Sequence, residues 1–482
     1  MRPPSPSPSP SGRGSKHALA LTLSALVAAL FLVQVAWPAA LQLTHGFSAY
    51  YTASRLVREG ANVADFYDDD WFHAQTVRRG FKGAEDIYNL NPPTTALLFW
   101  PLAALPPREA RVAWSGANLL LLGVVLGLLI RSLGGGAVEV ALGVLLIAGF
   151  QPVREDLRLG QVYVLLLALE TLLLRAYLVR RGAVAGVSLG LAIGFKTAGA
   201  GLLLLLVARR EWRVLCWVGL TFGATVAGGI LLLGPDSWLR YVTLVSRFNT
   251  HPELAVTAYQ SVPGLLLHLF RFDQIWNPAP LLAAPALALI LLVTSAVVML
   301  GVTLQFTGLS TQTTSAALKG RRRSNGLKPR SCTASPFACL SRRRRIIVQK
   351  RLGPPSSDSH RDRALAFAAW AILDVALSPV SEDYHYTLLL VPIAILLADW
   401  RDCRRGRRWL AILLGAIVLI GAPLPFKSPA LAAGAWALLA YPKLYGALGL
   451  WGLAVRALRS APERALAGGG ARRQPVLAGE TP

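Results

Sequence analysis

Long apolar runs constrain this chain more than any other feature. "LLLLGVVLGLLI" at 119–130 and "LLAAPALALILLVTSAVVMLGVTL" at 281–304 belong to stretches that reach or approach the roughly 20 residues needed to cross a bilayer. They have no polar face, which a helix on the surface of a soluble core would show. Charged residues make up only 15% of the chain and the mean hydropathy is +0.48, where a soluble domain carries roughly 25% charge. The sequence reads as an all-α polytopic membrane protein with about 10–12 transmembrane helices.

The apolar segments divide the chain. Residues 1–16 are Pro/Ser-rich and basic, a disordered tail. Residues 17–37 read as a retained first helix rather than a cleaved signal peptide, because the run is long and "AWPAALQL" is a weak cleavage site. Residues 17–306 form a transmembrane catalytic module that includes an outer loop, 38–108. Residues 307–363 read as a basic low-complexity cytoplasmic loop or insert, 364–455 as C-terminal transmembrane helices, and 456–482 as a disordered tail. Within the outer loop, "GFSAYYTASRLVREG" has helical spacing. "NLNPPTTALLFWPLAALPP" is an apolar piece bracketed by prolines, suited to a re-entrant or interfacial position. The segment 182–208 has Lys196 in its middle and Arg pairs at both ends; it reads as two short helices that turn at Lys196, or else as one span with a buried lysine.

The net charge of +24 would point to nucleic acid in a soluble chain. Here the basic residues gather between apolar runs, most densely at 319–363 with 14 Lys/Arg against two Asp, and this is positive-inside bias rather than a nucleic-acid surface. The bias puts both termini in the cytoplasm, and the loops 38–108, 150–160, 235–279 and 379–384 outside. The four cysteines form no CxxC pair and no Cys/His cluster, so neither a metal site nor a disulfide scaffold is expected, and no cofactor motif is present.

The acids are unevenly placed. Seven of the 25, namely Glu59, Asp65, Asp68, Asp69, Asp70, Glu85 and Asp86, fall in the outer loop. On this topology they share a face with "QPVREDLRLGQ" (Arg154, Arg158, Gln161), with Lys196, and with "SPVSEDYHY" (Glu382, Asp383, Tyr384, His385). A carboxylate there can take a proton from an attacking hydroxyl, while Arg, Lys and His hold a phosphate as it leaves. That is the chemistry of glycosyl transfer from a lipid-linked phosphosugar. Each group also has a bland reading: a headgroup-level ion pair for Arg154, a snorkelling Lys196, a solvated face for the aspartates.

In order, "FSAYYTASRLVREG", "NPPTTALLFWPLAALPPREARVAW", "LRLGQVYVLLLALETLLL", "AGVSLGLAIGFKTAGAGLLLLLVARREWR", "QSVPGLLLHLF" and "SPVSEDYHYTLLLVPIAILLA" resemble the mannosyltransferase-like membrane proteins of glycosyltransferase family 87, within the C-type glycosyltransferase superfold. The resemblance covers most of residues 20–455 apart from 307–363. It implies a cell-membrane glycosyltransferase whose donor is a polyprenyl-phosphate sugar, typically mannose. Transfer would be inverting, to a lipid or cell-envelope glycan acceptor on the extracytoplasmic side, with a carboxylate base on the first outer loop. Where the family pattern commonly has an Asp just ahead of the paired tyrosines, this chain has Gly46, which moves the expected base to Asp65 or Asp68, with His45 as a further substitute. Tyr50, Tyr51, Arg154, Arg158, Gln161, Lys196 and His385 are the expected substrate-binding residues. A flippase of lipid-linked sugars, or a family member without catalysis, would share many of these features.

Overall fold

The computed structural model describes residues 11–84, 86–324 and 357–460. Glu85, the expected tail up to residue 10, most of the basic insert and the end of the chain lie outside the described residues. What is described is helical, with no strand among the described residues. The helices in chain order are α1 (Ser11–Phe31), α2 (Trp37–Leu41), α3 (Phe47–Arg58), α4 (Asp69–Arg78), α5 (Thr95–Leu98), α6 (Pro107–Leu133), α7 (Ala137–Gly149), α8 (Gln151–Leu159), α9 (Tyr163–Leu178) and α10 (Gly182–Lys196). They continue as α11 (Leu202–Ala208), α12 (Trp212–Leu233), α13 (Pro235–Phe248), α14 (Val262–Phe270), α15 (Pro285–Ser324), α16 (Ser357–Leu377), α17 (Leu390–Cys403), α18 (Arg407–Gly421) and α19 (Pro442–Arg459).

By length and composition, four stretches can cross a membrane: His17–Leu41, Pro107–Leu133, Trp212–Leu233 and Pro285–Thr307. Two bent pairs, α7 with α8 (57°) and a short turn at Gly434–Ala440 with α19 (55°), raise the number to six if each is one span. The other helices are shorter or more charged. The helix α15 continues past the expected boundary at 307 to Ser324, and the next described helix begins at Ser357.

The core is built around α9, α10 and α16. Trp370 and Phe367 of α16 are buried, as are Leu167 and Leu174 of α9. On α10, Gly186, Gly190 and Gly194 recur every fourth residue, one stripe of a helix. A Cβ at Gly190 would meet the Thr221 Cβ at 2.7 Å, and one at Gly194 the Thr225 Cγ2 at 2.9 Å. The stripe lets α10 lie against α12 with almost no side chain between them, the small-residue packing that joins helices in lipid.

At Lys196 the chain turns, as the two-short-helix reading requires. Thr197 ends α10 in a left-handed conformation, and α11 begins at Leu202. The new helix is received by Asp374 of α16, whose carboxylate accepts the Gly199 N–H at 2.8 Å and the Gly201 N–H at 2.7 Å. This supplies acceptors to amides at the start of α11 that the helix cannot pair internally.

Candidate active site

The outer loop folds back onto the turn at Lys196, and the proline-bracketed segment makes the join. Thr94 and Thr95 donate their hydroxyls to the Gly194 and Phe195 carbonyls at 2.7 and 2.6 Å. These are among the last carbonyls of α10, which have no partner within the helix. Pro92 and Pro93 lack N–H groups, so this segment offers mainly side chains and carbonyls. Asn91, just ahead of them, accepts the Lys196 ammonium on Oδ1 at 2.6 Å, which fixes the direction of the lysine.

Around that ammonium the expected residues gather. Its Nζ lies 5.6 Å from the centre of the Tyr50 ring, a cation–π approach. The Tyr50 hydroxyl donates to Gln161 Oε1 at 2.6 Å, linking α3 to the start of α9. His385 packs against both Tyr163 (4.3 Å between ring centres, tilted) and Tyr384 (4.8 Å, stacked), and its Nδ1 accepts the Glu382 N–H at 3.2 Å. Lys196 is within electrostatic reach of Glu382 and Asp86. Tyr50, Gln161, Lys196 and His385, scattered over more than 300 residues of sequence, thus converge on one polar centre.

Two carboxylates accompany it. Glu382 lies in the turn before His385 and accepts the Tyr384 hydroxyl on Oε1 at 3.0 Å. Burial holds its carboxyl above the ordinary glutamate range, and Lys427, the Tyr384 hydroxyl, Lys196 and His45 pull the other way. Asp86 is more fully engaged. Its Oδ2 accepts the Gly46 and Ala49 N–H groups, each at 2.8 Å, and the Ser48 hydroxyl. Burial raises this carboxyl too, opposed first by the Ser48 hydroxyl and then by the two backbone donors.

This explains the glycine ahead of the tyrosines. Gly46 precedes α3 with φ +90°, and a Cβ there would meet Gln161 Nε2 at 2.7 Å and the Leu159 carbonyl at 2.9 Å. An aspartate at 46 would collide with the same Gln161 that Tyr50 holds. Asp86 supplies the N-cap contacts from 40 residues away.

The other expected residues stand elsewhere. Asp68 caps α4, its Oδ1 accepting the Trp71 N–H at 3.0 Å, and Asp65 is exposed in the 3-10 turn Val63–Tyr67. Neither makes a hydrogen bond to the Lys196 centre. The nearest link runs through Tyr67, whose hydroxyl donates to the Asn91 carbonyl at 2.9 Å. Tyr51 donates to the Leu105 carbonyl at 2.7 Å and anchors the proline-bracketed segment. Arg154 donates from Nε to the Ala148 carbonyl at 2.9 Å, and Arg158 pairs with Glu155 at 2.9 and 2.6 Å; both are exposed. Asp156, between the two arginines in sequence, accepts the Tyr163 N–H at 2.9 Å.

Residue-type reasoning passed over Asn91 and Arg111. Arg111 is fully buried and donates to the Leu157, Arg158 and Gln42 carbonyls at 2.6, 3.0 and 3.1 Å. It ties α6 to the end of α8 and so fixes where Gln161 emerges. An arginine within the first turns of an apolar helix was the available signal, since a charge there requires fixed partners. Among the described residues, no group of three or more His, Cys, Asp or Glu side chains is placed to hold a metal ion.

No curated protein and no solved structure matches the chain. A family model does: Glycosyltransferase family 87 matches residues 89–318, the span that contains Asn91, Gln161 and Lys196, while Tyr50, Glu382 and His385 lie outside it. The segment that carries the lysine turn is therefore similar to glycosyltransferase family 87, and together with the helices able to cross a membrane this supports a membrane glycosyltransferase.

Proposed function

We propose that the chain transfers mannose or a related hexose from a polyprenyl-phosphate sugar to a lipid or cell-envelope glycan acceptor. The reaction takes place on the extracytoplasmic side of the cell membrane, with both chain termini cytoplasmic. One observation carries the reading: a single ammonium, Lys196, is held by Asn91 and Tyr50 within electrostatic reach of Glu382, beside His385 and Gln161. A base and a cation on one centre are what this displacement needs.

In this mechanism Glu382 removes the proton from the acceptor hydroxyl. The oxygen then attacks the anomeric carbon from the face opposite the phosphate, the carbon–oxygen bond to phosphate breaks, and the polyprenyl phosphate leaves with the bonding pair. Lys196 stabilises the charge that develops on the leaving phosphate. His385 and Gln161 line the path as hydrogen-bonding partners for donor or acceptor. Glu382 is preferred to Asp65 and Asp68 because it lies within electrostatic reach of the cation, whereas those two are exposed on the loop.

The broken helix at Lys196 is also a feature that a lipid-linked-sugar flippase would use. Incubation of membranes with labelled polyprenyl-phosphate mannose separates the readings. Label that appears in a new lipid or glycan product, and is lost with Lys196→Ala, supports transfer. Label that crosses the membrane without forming a product supports translocation and contradicts this proposal.

A further inference from the structure

At the far end of α9 and α10 from Lys196 lies a second cavity, of about 680 Å³. The helix α10 has 15 residues, so it separates the two ends by about 21 Å at 1.5 Å per residue. Tyr177, Arg180, Glu211, Arg213, Trp217 and Arg363 are among its lining residues. Three arginines there face one glutamate.

Arg363 is 7% exposed and enters from α16. It donates from Nη1 to Glu211 at 2.6 Å and from Nη2 to the Tyr177 carbonyl at 2.7 Å, and its guanidinium lies 3.8 Å from the centre of the Tyr177 ring. Its buried Nε has no partner, and neither has the hydroxyl of Tyr177, which is 2% exposed. Arg180 and Arg213 are exposed, and their side chains make no hydrogen bond or ion pair among the described residues. Two helices, α10 and α12, also begin at this cavity, with Gly182 and Trp212 in its wall. Their first-turn N–H groups have no partner within the helix and carry the positive ends of the helix dipoles.

We propose that this cleft binds the phosphate headgroup of an anionic phospholipid, in the leaflet opposite the Lys196 centre. Donors without acceptors, three guanidinium groups and two helix starts line this cavity, and the several oxygens of a phosphate are the acceptors they lack. The choice of a lipid over a free anion rests on the rim. Trp212 and Trp217 are 58% and 42% exposed, and Trp212 opens the membrane-crossing stretch Trp212–Leu233. That is the height at which tryptophans mark the headgroup layer and basic pockets between spanning helices take up anionic lipid. The exposed Leu220 on the same helix, two turns in from Trp212, lies where an acyl chain would run. This inference is independent of which sugar is transferred.

The full-length chain in neutral detergent, titrated with phosphatidylglycerol, phosphatidylcholine or inorganic phosphate while its thermal midpoint is followed, tests the site. Phosphatidylglycerol is expected to raise the midpoint, and the other two at equal concentration are not. Arg180→Ala with Arg213→Ala is expected to weaken the phosphatidylglycerol response about tenfold or more, since each surface cation near an anionic lipid is worth about 1 kcal/mol. Both side chains are exposed, so the pair leaves the fold intact, and Arg180→Glu alone is a second variant expected to weaken the response. Arg407→Ala with Arg408→Ala, equally exposed, is expected to leave it unchanged. A wild-type response in the Arg180/Arg213 variant overturns the proposal. So does an equal loss in the Arg407/Arg408 variant, or an equal shift with inorganic phosphate.

Discussion

The outer loop carries Asp65, Asp68, Asp69 and Asp70 within six residues, and all four side chains are exposed. The turn before α17 carries Glu382 and Asp383, and both are drawn inward. Glu382 faces Lys196, Lys427 and His45, while Asp383 lies 2.9 Å from the buried Lys443 ammonium. In the loop, Asp68 serves its own backbone by capping α4. In the turn, the acids meet cations from helices distant in sequence. A carboxylate in water has nothing to gain from a distant lysine, whereas one inside a helical bundle persists only where a partner compensates its desolvation. Density of acids along the chain therefore marks a solvated rim, and sparse acids with buried partners mark the chemistry.

The comparison can be broken most severely at the cation. Lys196→Ala should reduce transfer by about 10²–10³-fold, the range for losing one preorganised electrostatic group at a reacting centre. Its assay is the labelled-mannose transfer rate in membranes with matched protein levels. Glu382→Gln should cost about 10²–10⁴-fold, the usual contribution of a general base. Burial raises the Glu382 carboxyl, and the deprotonated form is the base, so the rate should rise with pH. Its acid limb should lie above the ordinary glutamate value of about 4.3 and disappear in the glutamine variant. A rate–pH profile of wild type and variant checks this. Tyr50→Phe keeps the ring over Lys196 but removes the 2.6 Å bond to Gln161. It should cost about tenfold, the equivalent of one hydrogen bond of about 1.4 kcal/mol. The smallest effects belong to the loop: Asp68→Ala should lower stability by about 1 kcal/mol through the lost cap, seen as a lower thermal midpoint, with transfer nearly unchanged.

Much of this was legible in the sequence, but unevenly. The apolar runs gave the membrane class, because length and absence of charge are local properties. The turn at Lys196 was legible from flanking arginine pairs around a lone lysine, and Tyr50, Gln161 and His385 were all named from their motifs. The acids were harder. Asp86 caps α3 across 40 residues, and no local pattern shows that contact. Arg154 and Arg158 have the residue type for binding phosphate, yet they spend their donors on the Ala148 carbonyl and on Glu155. Only the packing of α8 against its neighbours decides which cations stay free.

The central claim is that Glu382, and not the aspartates of the outer loop, takes the acceptor proton. Single-turnover transfer from labelled polyprenyl-phosphate mannose tests it most directly, with Glu382→Gln beside the double variant Asp65→Asn, Asp68→Asn. Asn at 68 still caps α4, so both proteins should fold. The account predicts that Glu382→Gln loses transfer by about 10²-fold or more while the double variant stays near wild type. Loss of transfer in the double variant, with Glu382→Gln still active, would contradict it.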